Sequence, residues 1–306
     1  MKSQVVVITG PTACGKSDLA LELAREFAME IVSVDSAQVY RTMDIGTAKP
    51  GAGILEEIPH HLIDIRDPLN PYSAAEFRLD AIRRITDILA RGRIPLLTGG
   101  TMLYLKALKE GIAELPAANE EIRARIANMA KADGWSAVHS RLSEVDPEAA
   151  NRIDPNDPQR LQRALEVYEI TGESISSLHQ SGKTGCPFSL LEIAIIPPDR
   201  SSLHQRIEQR FDKMLDRGFL EEVERLVGRG DLCAALPSIK AVGYRQAWAH
   251  IHGEIDHVTM REKAIIATRQ LAKRQYTWLR SWKGLNIIDS PDRLQVLKIL
   301  EGASIL

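Results

Sequence analysis

The chain has 306 residues, 44% hydrophobic and 26% charged, the make-up of a globular protein with a buried core and room for one large domain or two ordinary ones. A formal net charge of -2 gives no whole-molecule attraction to nucleic acid, so any such binding must come from local basic faces. Cys14, Cys186 and Cys233 form no C-x-x-C pair, which argues against a disulfide framework and a zinc site. No apolar run approaches a membrane span, and Met1-Lys2-Ser3 leads straight into a strand pattern, so a cytoplasmic protein with no membrane partner is expected.

Val5-Val6-Val7-Ile8 reads as a fully buried strand. It runs into Gly10-Pro11-Thr12-Ala13-Cys14-Gly15-Lys16-Ser17, which fits G-x-x-x-x-G-K-[ST] at every fixed position. This is a phosphate-binding loop: its backbone amides converge on anionic oxygens, Lys16 adds a point charge and Ser17 offers a hydroxyl to Mg²⁺. The apolar helix from Leu19 aims its positive dipole end at the same anion. The loop specifies an anion, not a reaction, and a nucleotide or another diphosphate both fit.

Glu30 to Val34 reads as a second parallel strand ending on Asp35-Ser36-Ala37-Gln38, so Asp35 is expected at the carboxyl-end crevice near the phosphate loop. There a carboxylate binds Mg²⁺, accepts a substrate proton, or merely caps a short helix from Ala37 to Met43. Asp44 to Gly53 is turn-rich and is expected to cover the crevice. His60-His61 point to opposite faces of a short strand, a poor metal pair, and are read as structural.

Ser73 to Arg91 has helical spacing, and Ile94 to Thr98 is a buried strand turned by Gly99-Gly100-Thr101 into a helix from Met102 to Glu110. That second glycine-rich junction places Thr101 at the same crevice as Asp35. The strand ends in Thr98 rather than the Asp many P-loop hydrolases use, which weakens an ATPase reading. From Pro116 helices follow one another (119–132, 135–143, 157–171) up to a loop at 181–187, as in a helical insertion. Leu190 to Ile196 then returns to strand character and re-enters the first sheet; helices follow to Trp282, then a short strand at 285–288 and a last helix.

Two helices carry recognition chemistry. Gln159 and Arg163 share one face, beside an apolar stripe of Leu161, Leu165 and Tyr168; such side chains fork onto base edges and phosphates, and a solvated face carries them just as readily. On the late helix Leu271, Trp278, Leu279 and Trp282 form a buried face, while Arg269, Lys273, Tyr276 and Arg280 line another. That stripe suits phosphate tracking with Tyr276 as a stacking platform, or is a salt-bridged surface. Arg206 and Arg210 stand four apart where a cation could reach the anion site, with Glu208 and Asp212 as rival partners.

Together, the phosphate loop and Asp35-Ser36-Ala37-Gln38-Val39-Tyr40-Arg41, Met43 to Pro50, Pro59 to Asp64, Gly99 to Tyr104, Gln159-Arg160-Leu161-Gln162-Arg163, Val242-Gly243-Tyr244-Arg245-Gln246 and Leu271 to Arg280 resemble the bacterial tRNA dimethylallyltransferases, also called tRNA isopentenyltransferases. Departures are small: Ala37 stands where Met is commoner and Ala241 where a Cys may precede the Val-Gly-Tyr-Arg-Gln segment. The resemblance implies an α/β fold, a P-loop NTPase-like parallel sheet (1–115 and 188–306) with an all-helical insertion (116–187) that helps clasp tRNA. It implies transfer of a dimethylallyl group from dimethylallyl diphosphate to the N6 amine of adenosine-37, just 3′ of the anticodon, with the loop holding the donor's diphosphate rather than ATP.

On that reading Lys16, Arg210 and Mg²⁺ held through Ser17 stabilise the leaving diphosphate, Asp35 accepts or orients the amine proton, and Thr101 bonds near a flipped adenine. The family pattern also lays Asp35 to Gln38, Thr101, Arg123, Gln159 to Arg163, Lys240, Gly243, Tyr244, Arg245, Gln246, Lys273, Arg274, Gln275, Tyr276, Trp278 and Arg280 against the tRNA anticodon stem-loop, with the enzyme a monomer. The alternatives are a P-loop small-molecule kinase, a prenyltransferase acting on free adenine nucleotides, and a non-catalytic RNA-binding module.

Overall fold

The computed structural model describes residues 4–113, 115–181 and 184–305. Met1, Lys2 and Ser3, and Gly182 and Lys183 of the expected 181–187 loop, lie outside the described residues. The chain forms two compact units, Met1–Lys109 with Pro187–Leu306, and Glu110–Cys186.

The first unit opens with β1 (Gln4–Thr9), α1 (Lys16–Glu26), β2 (Met29–Val34), α2 (Ala52–Glu57), β3 (His60–His61), α3 (Ala74–Ala90), β4 (Ile94–Gly99) and α4 (Met102–Glu110). The second holds α5 (Glu120–Val145), α6 (Pro147–Arg152), α7 (Pro158–Thr171) and α8 (Ile175–Ser181). The chain then returns to the first through β5 (Ser189–Ile195), α9 (Arg200–Asp216), α10 (Phe219–Gly228), α11 (Tyr244–Ile251), α12 (His257–Ser281), β6 (Asn286–Ile288) and α13 (Arg293–Gly302).

The strands make one parallel sheet in the order β3-β2-β4-β1-β5-β6. β1 lies in its middle, which is why Val5 to Ile8 are apolar without alternation: both faces of the strand are covered. On one face Val6, Ile8, Ile31, Leu96, Ile193 and Ile195 pack with Leu19 and Leu23 of α1 and Val296 and Leu300 of α13. Emptying any one of the leucine or isoleucine sites to alanine costs about 2–5 kcal/mol. All parallel strands point the same way, so the loops after β1, β2 and β4 open on one edge of the sheet.

Local chemistry sets the element ends. Ser73 caps α3 and Glu76 returns the bond, a complete capping box. In the helical unit α5 breaks at Gly134 (φ 81°, ψ 165°), a conformation open to glycine, which divides the two helical stretches anticipated at 119–132 and 135–143. That unit has its own core of Ile126, Val138, Leu142, Leu161, Ala164, Leu165 and Val167.

One expected helix is absent. Residues 37–43 form turns, because the Asp35 carboxylate collects the Ala37 and Gln38 amides, Thr42 takes φ 63°, and the Arg41 amide bonds to Arg66 O instead of continuing a helical ladder. The histidines of β3 have structural partners: His61 Nε2 lies 2.7 Å from the buried Glu30 Oε2, and His60 Nδ1 2.7 Å from Ile58 O. No described helix is long and apolar enough to cross a membrane.

Candidate active site

The carboxyl edge of the sheet holds a cleft of about 1470 Å³, lined entirely by the α/β unit. That exceeds the few hundred to 1,000 Å³ usual for small-molecule pockets and leaves room for a nucleotide beside a diphosphate.

Its floor is the loop between β1 and α1. Gly15 sits at φ 94° with no side-chain cap on the helix, so the first-turn amides of α1 remain open to an anion. Among the described residues Lys16 Nζ bonds to Pro11 O, at 3.3 Å, and to no carboxylate. Thr12 differs from its expected role: its amide donates to Gln275 Oε1 at 2.8 Å and is not free for a phosphate. Cys14 is fully buried in the core, so it shapes the loop from beneath. The Ser17 hydroxyl has no hydrogen-bond partner among the described residues and faces the cleft with Asp18.

α9 supplies the wall. The rival partners of its two arginines are taken by α12: Arg261 binds Asp212 at 2.6 Å and Glu208 at 3.0 Å, and Arg269 binds Glu208 at 3.2 Å. Arg206 and Arg210 therefore line the cleft with no carboxylate partner among the described residues, and Arg206 Nε is buried without a hydrogen bond. Burial holds the Arg210 guanidinium below its ordinary pKa, against the opposing pull of Asp35 and Asp18. A desolvated cation without a counter-ion is a site for an incoming anion.

Asp35 follows β2, half-buried on the cleft wall. Its two carboxylate oxygens differ: Oδ1 closes the turn by accepting from Ala37 N at 2.8 Å and Gln38 N at 3.3 Å, while Oδ2 has no partner among the described residues. Thr101, which leads into α4, is held beside it. Its amide donates to Val34 O at 3.1 Å and its Oγ1 accepts from Ser36 N at 3.0 Å. Gln38 also lines the cleft, with its carboxamide committed to Ser33, Thr47 and Ala48.

The loop from Asp44 to Pro50 lines the cleft and is fastened down. Buried Glu222 accepts from the amides of Asp44, Ile45 and Gly46 at 2.8, 2.7 and 3.2 Å and from Tyr244 Oη at 2.6 Å. Lys49 Nζ, on a side chain only 3% exposed, donates to Tyr40 O, Asp44 and Asp64. Sequence reasoning missed Glu222, although an acid within the apolar spacing of Phe219, Val223 and Leu226 was a legible sign of a buried, bonded carboxylate.

Several residues expected at an RNA surface lie elsewhere. Leu161 is fully buried in the helical core. Tyr244 is 1% exposed, and Gln246 is buried with its Oε1 on the Gly243 amide at 2.9 Å, so both are scaffold; Lys240 and Arg245 are the exposed groups of that stretch. Tyr276 is buried with its hydroxyl on Pro197 O at 2.9 Å and is no stacking platform, and Gln275 is buried too. The phase of α12 explains this: Ala272, Gln275, Tyr276 and Leu279 face inward, while Leu271, Arg274 and Trp278 border the cleft. Trp278 carries Lys106 Nζ 5.6 Å from its ring centroid. Lys273, Arg274 and Arg280 are exposed.

In the helical unit, Glu166 is fully buried and holds Arg123 at 2.8 Å and Arg163 at 2.7 Å, and Arg163 also reaches Pro116 O. Gln162 bonds to Arg123 O at 3.1 Å, while Gln159 and Arg160 are exposed, Arg160 with Asp157 at 3.4 Å.

Residues 38–282 match the family model for IPP transferase. The chain is 57% identical over 290 residues to a tRNA dimethylallyltransferase of Thioalkalivibrio sulfidiphilus (strain HL-EbGR7), covering 94% of this chain and 91% of that one. Among solved structures it is similar to the tRNA delta(2)-isopentenylpyrophosphate transferase of Staphylococcus epidermidis, at 35% identity and a TM-score of 0.68 over 99% of this chain and 98% of the other. It is also similar to a eukaryotic dimethylallyltransferase acting on tRNA, at 28% identity and a TM-score of 0.75 over 99% and 78% of the two chains. By sequence over most of its length, and by a parallel sheet of the same fold as those structures, the chain belongs to the IPP transferase family.

Proposed function

We propose that this protein transfers a dimethylallyl group from dimethylallyl diphosphate to the N6 amine of adenosine-37 in tRNA, acting as a cytoplasmic monomer on the anticodon stem-loop. The observation that carries the reading is the division of one cleft into two chemistries: open α1 amides with Lys16, Arg206 and Arg210, which meet no carboxylate among the described residues, on one side, and Asp35 with Thr101 on the other. A kinase reading is less well served, since β4 ends in Thr98 and Gly99 with no carboxylate for Mg²⁺ and water.

In the transfer, the bond from the donor carbon to the diphosphate oxygen breaks with its electron pair leaving on oxygen, and a carbon–nitrogen bond forms to N6. Lys16 and Arg210 meet the charge that grows on the leaving oxygens. The proton lost by the amine passes to Asp35 Oδ2, whose sister oxygen is fixed by the Ala37 and Gln38 amides. Thr101 Oγ1, held by Ser36 N, orients the adenine edge. The oxygen donors of Ser17 and Asp18 at the head of α1 suit Mg²⁺, which would neutralise diphosphate charge there. Lys240, Arg245, Lys273, Arg274 and Arg280 of this unit, and Arg123, Gln159 and Arg160 of the helical unit, are the exposed groups offered to RNA.

The test is to give the protein unmodified tRNA with dimethylallyl diphosphate, with ATP, or with the donor and free AMP in place of tRNA. The expected result is one five-carbon unit on a tRNA adenosine by mass analysis, and only with the allylic donor. Phosphate transfer from ATP, or prenylation of AMP at a rate matching tRNA, would contradict the reading.

A further inference from the structure

α12 carries a buried polar side chain that no step above uses. Gln275, 6% exposed, accepts from the Thr12 amide at 2.8 Å through Oε1 and donates to Gly100 O at 2.8 Å through Nε2. Those partners follow two adjacent strands, β1 and β4, and belong to the two glycine-rich loops of the cleft. One loop is the anion site. The other leads into Thr101, which is tied through Ser36 to the Asp35 corner.

The side chain suits the task for a chemical reason. A carboxamide presents an acceptor and a donor side by side on one uncharged planar group; ionised glutamate would accept and not donate, lysine the reverse. Gly100 is matched to it, because a Cβ there would run into Gln275 Nε2, while the Gly100 backbone is not in the left-handed region. Glycine at this position therefore leaves room for the Gln275 carboxamide, which a methyl group would displace. Tyr276, the next residue, independently pins α12 to Pro197 O beyond β5, so the helix has an anchor that does not depend on Gln275.

We propose that Gln275 is a positioning residue: it sets the separation of the anion loop from the Thr101 loop, and so the distance over which donor carbon meets acceptor amine. The inference rests on the transfer reading. Its energetic weight comes from alignment, where a misplacement of about 1 Å costs on the order of 100-fold in rate.

Gln275→Ala, Gln275→Glu, Gly100→Ala and the double variant Gly100→Ala/Gln275→Ala test it through three readouts: amide hydrogen exchange at Thr12, single-turnover transfer at saturating donor and tRNA, and tRNA affinity. Gln275→Ala is expected to speed Thr12 exchange and slow transfer by roughly 100-fold, with tRNA affinity within about twofold. Gln275→Glu keeps the acceptor, so Thr12 stays protected while transfer slows by roughly tenfold through the lost donor. Gly100→Ala displaces the carboxamide and should match Gln275→Ala, and the double variant should be no worse than either single one.

Unchanged Thr12 exchange in Gln275→Ala, additive losses in the double variant, or a rate loss explained by weaker tRNA binding would overturn the proposal. If the wild-type protein transferred no prenyl group the proposed reaction would fall, whereas the Thr12 exchange would still report whether the strut exists. Should Gln275→Ala not fold, Gln275→Glu and Gly100→Ala decide the matter alone.

Discussion

Three cations of the cleft, Lys16, Arg206 and Arg210, and the arginines of the helical unit have opposite surroundings. In the helical unit Arg123 and Arg163 share buried Glu166, Arg125 meets Glu169 and Arg141 meets Glu144, while Arg160 stays mostly exposed beside Asp157. In the cleft Lys16, Arg206 and Arg210 meet no carboxylate among the described residues, although Glu208 and Asp212 lie close by in sequence on the same helix. Spacing of three or four on a helix permits an ion pair without requiring one, and here Arg261 and Arg269 take both acids. The difference separates two jobs. An unpaired, desolvated cation gains most from a bound anion, whereas a paired arginine has already spent much of its charge and contributes hydrogen bonds and packing.

The largest expected effect lies on the acidic side of that division. Asp35→Asn keeps the turn, since an asparagine oxygen replaces Oδ1 on the Ala37 and Gln38 amides, and loses the basic Oδ2. Single-turnover transfer should slow by roughly 10² to 10⁴ with little change in donor or tRNA affinity. A near-normal rate would remove the base assignment, and recovery of the rate at higher Mg²⁺ would make Asp35 a metal ligand instead.

A smaller effect concerns the paired region. Burial pushes the Glu166 carboxyl up, but hydrogen bonds from Arg123, Arg163 and the Asn119 amide outweigh it and hold its pKa below the ordinary carboxylate value. A group depressed in the folded state lends stability that is present above its unfolded pKa and lost as pH falls through the folded one. The helical unit should therefore lose melting temperature on acidification below the ordinary carboxylate range, and Glu166→Gln should flatten that acid limb. An unchanged pH profile in Glu166→Gln would show that the pair network carries no such linkage. The smallest effects are at exposed cations: Arg160→Ala and Lys273→Ala should each lower the salt dependence of tRNA binding by about one ion. Arg163→Gln, neutralising an arginine already committed to Glu166, should lower it by less. Equal slopes for all three would erase the distinction between paired and exposed arginines.

Much of this was legible from residue pattern, and the failures share a cause. The unbroken apolar run of Val5 to Ile8, the Ser73 capping box and the helix stop at Gly134 are local signals, and each element forms where its own chemistry dictates. Residues 37–43 were misread because Asp35, Arg66 and Lys49, from separate segments, take the amides and carbonyls a helix would use. The phase of α12 was misread because Gln275 is polar yet buried, its partners lying 263 and 175 residues away. That displaced Tyr276 into the interior and brought Trp278 to the cleft. Glu222 was legible only as an acid within an apolar spacing; its partners were not, because the amides that justify a buried carboxylate lie more than 170 residues upstream. Periodicity reports which face is apolar, and it is silent about a polar group buried for the sake of distant backbone.

The most direct measurement of the division between unpaired and paired cations is calorimetric titration with inorganic pyrophosphate and Mg²⁺. It would compare the wild-type protein with Lys16→Ala, Arg210→Gln and Arg163→Gln. Removing one charge-assisted bond to the anion should weaken binding by about 10- to 100-fold in Lys16→Ala and Arg210→Gln, and Arg163→Gln should bind as the wild type does. Wild-type affinity in Arg210→Gln, or an equal loss in Arg163→Gln, would contradict the assignment of the donor's diphosphate to the unpaired cations of the cleft.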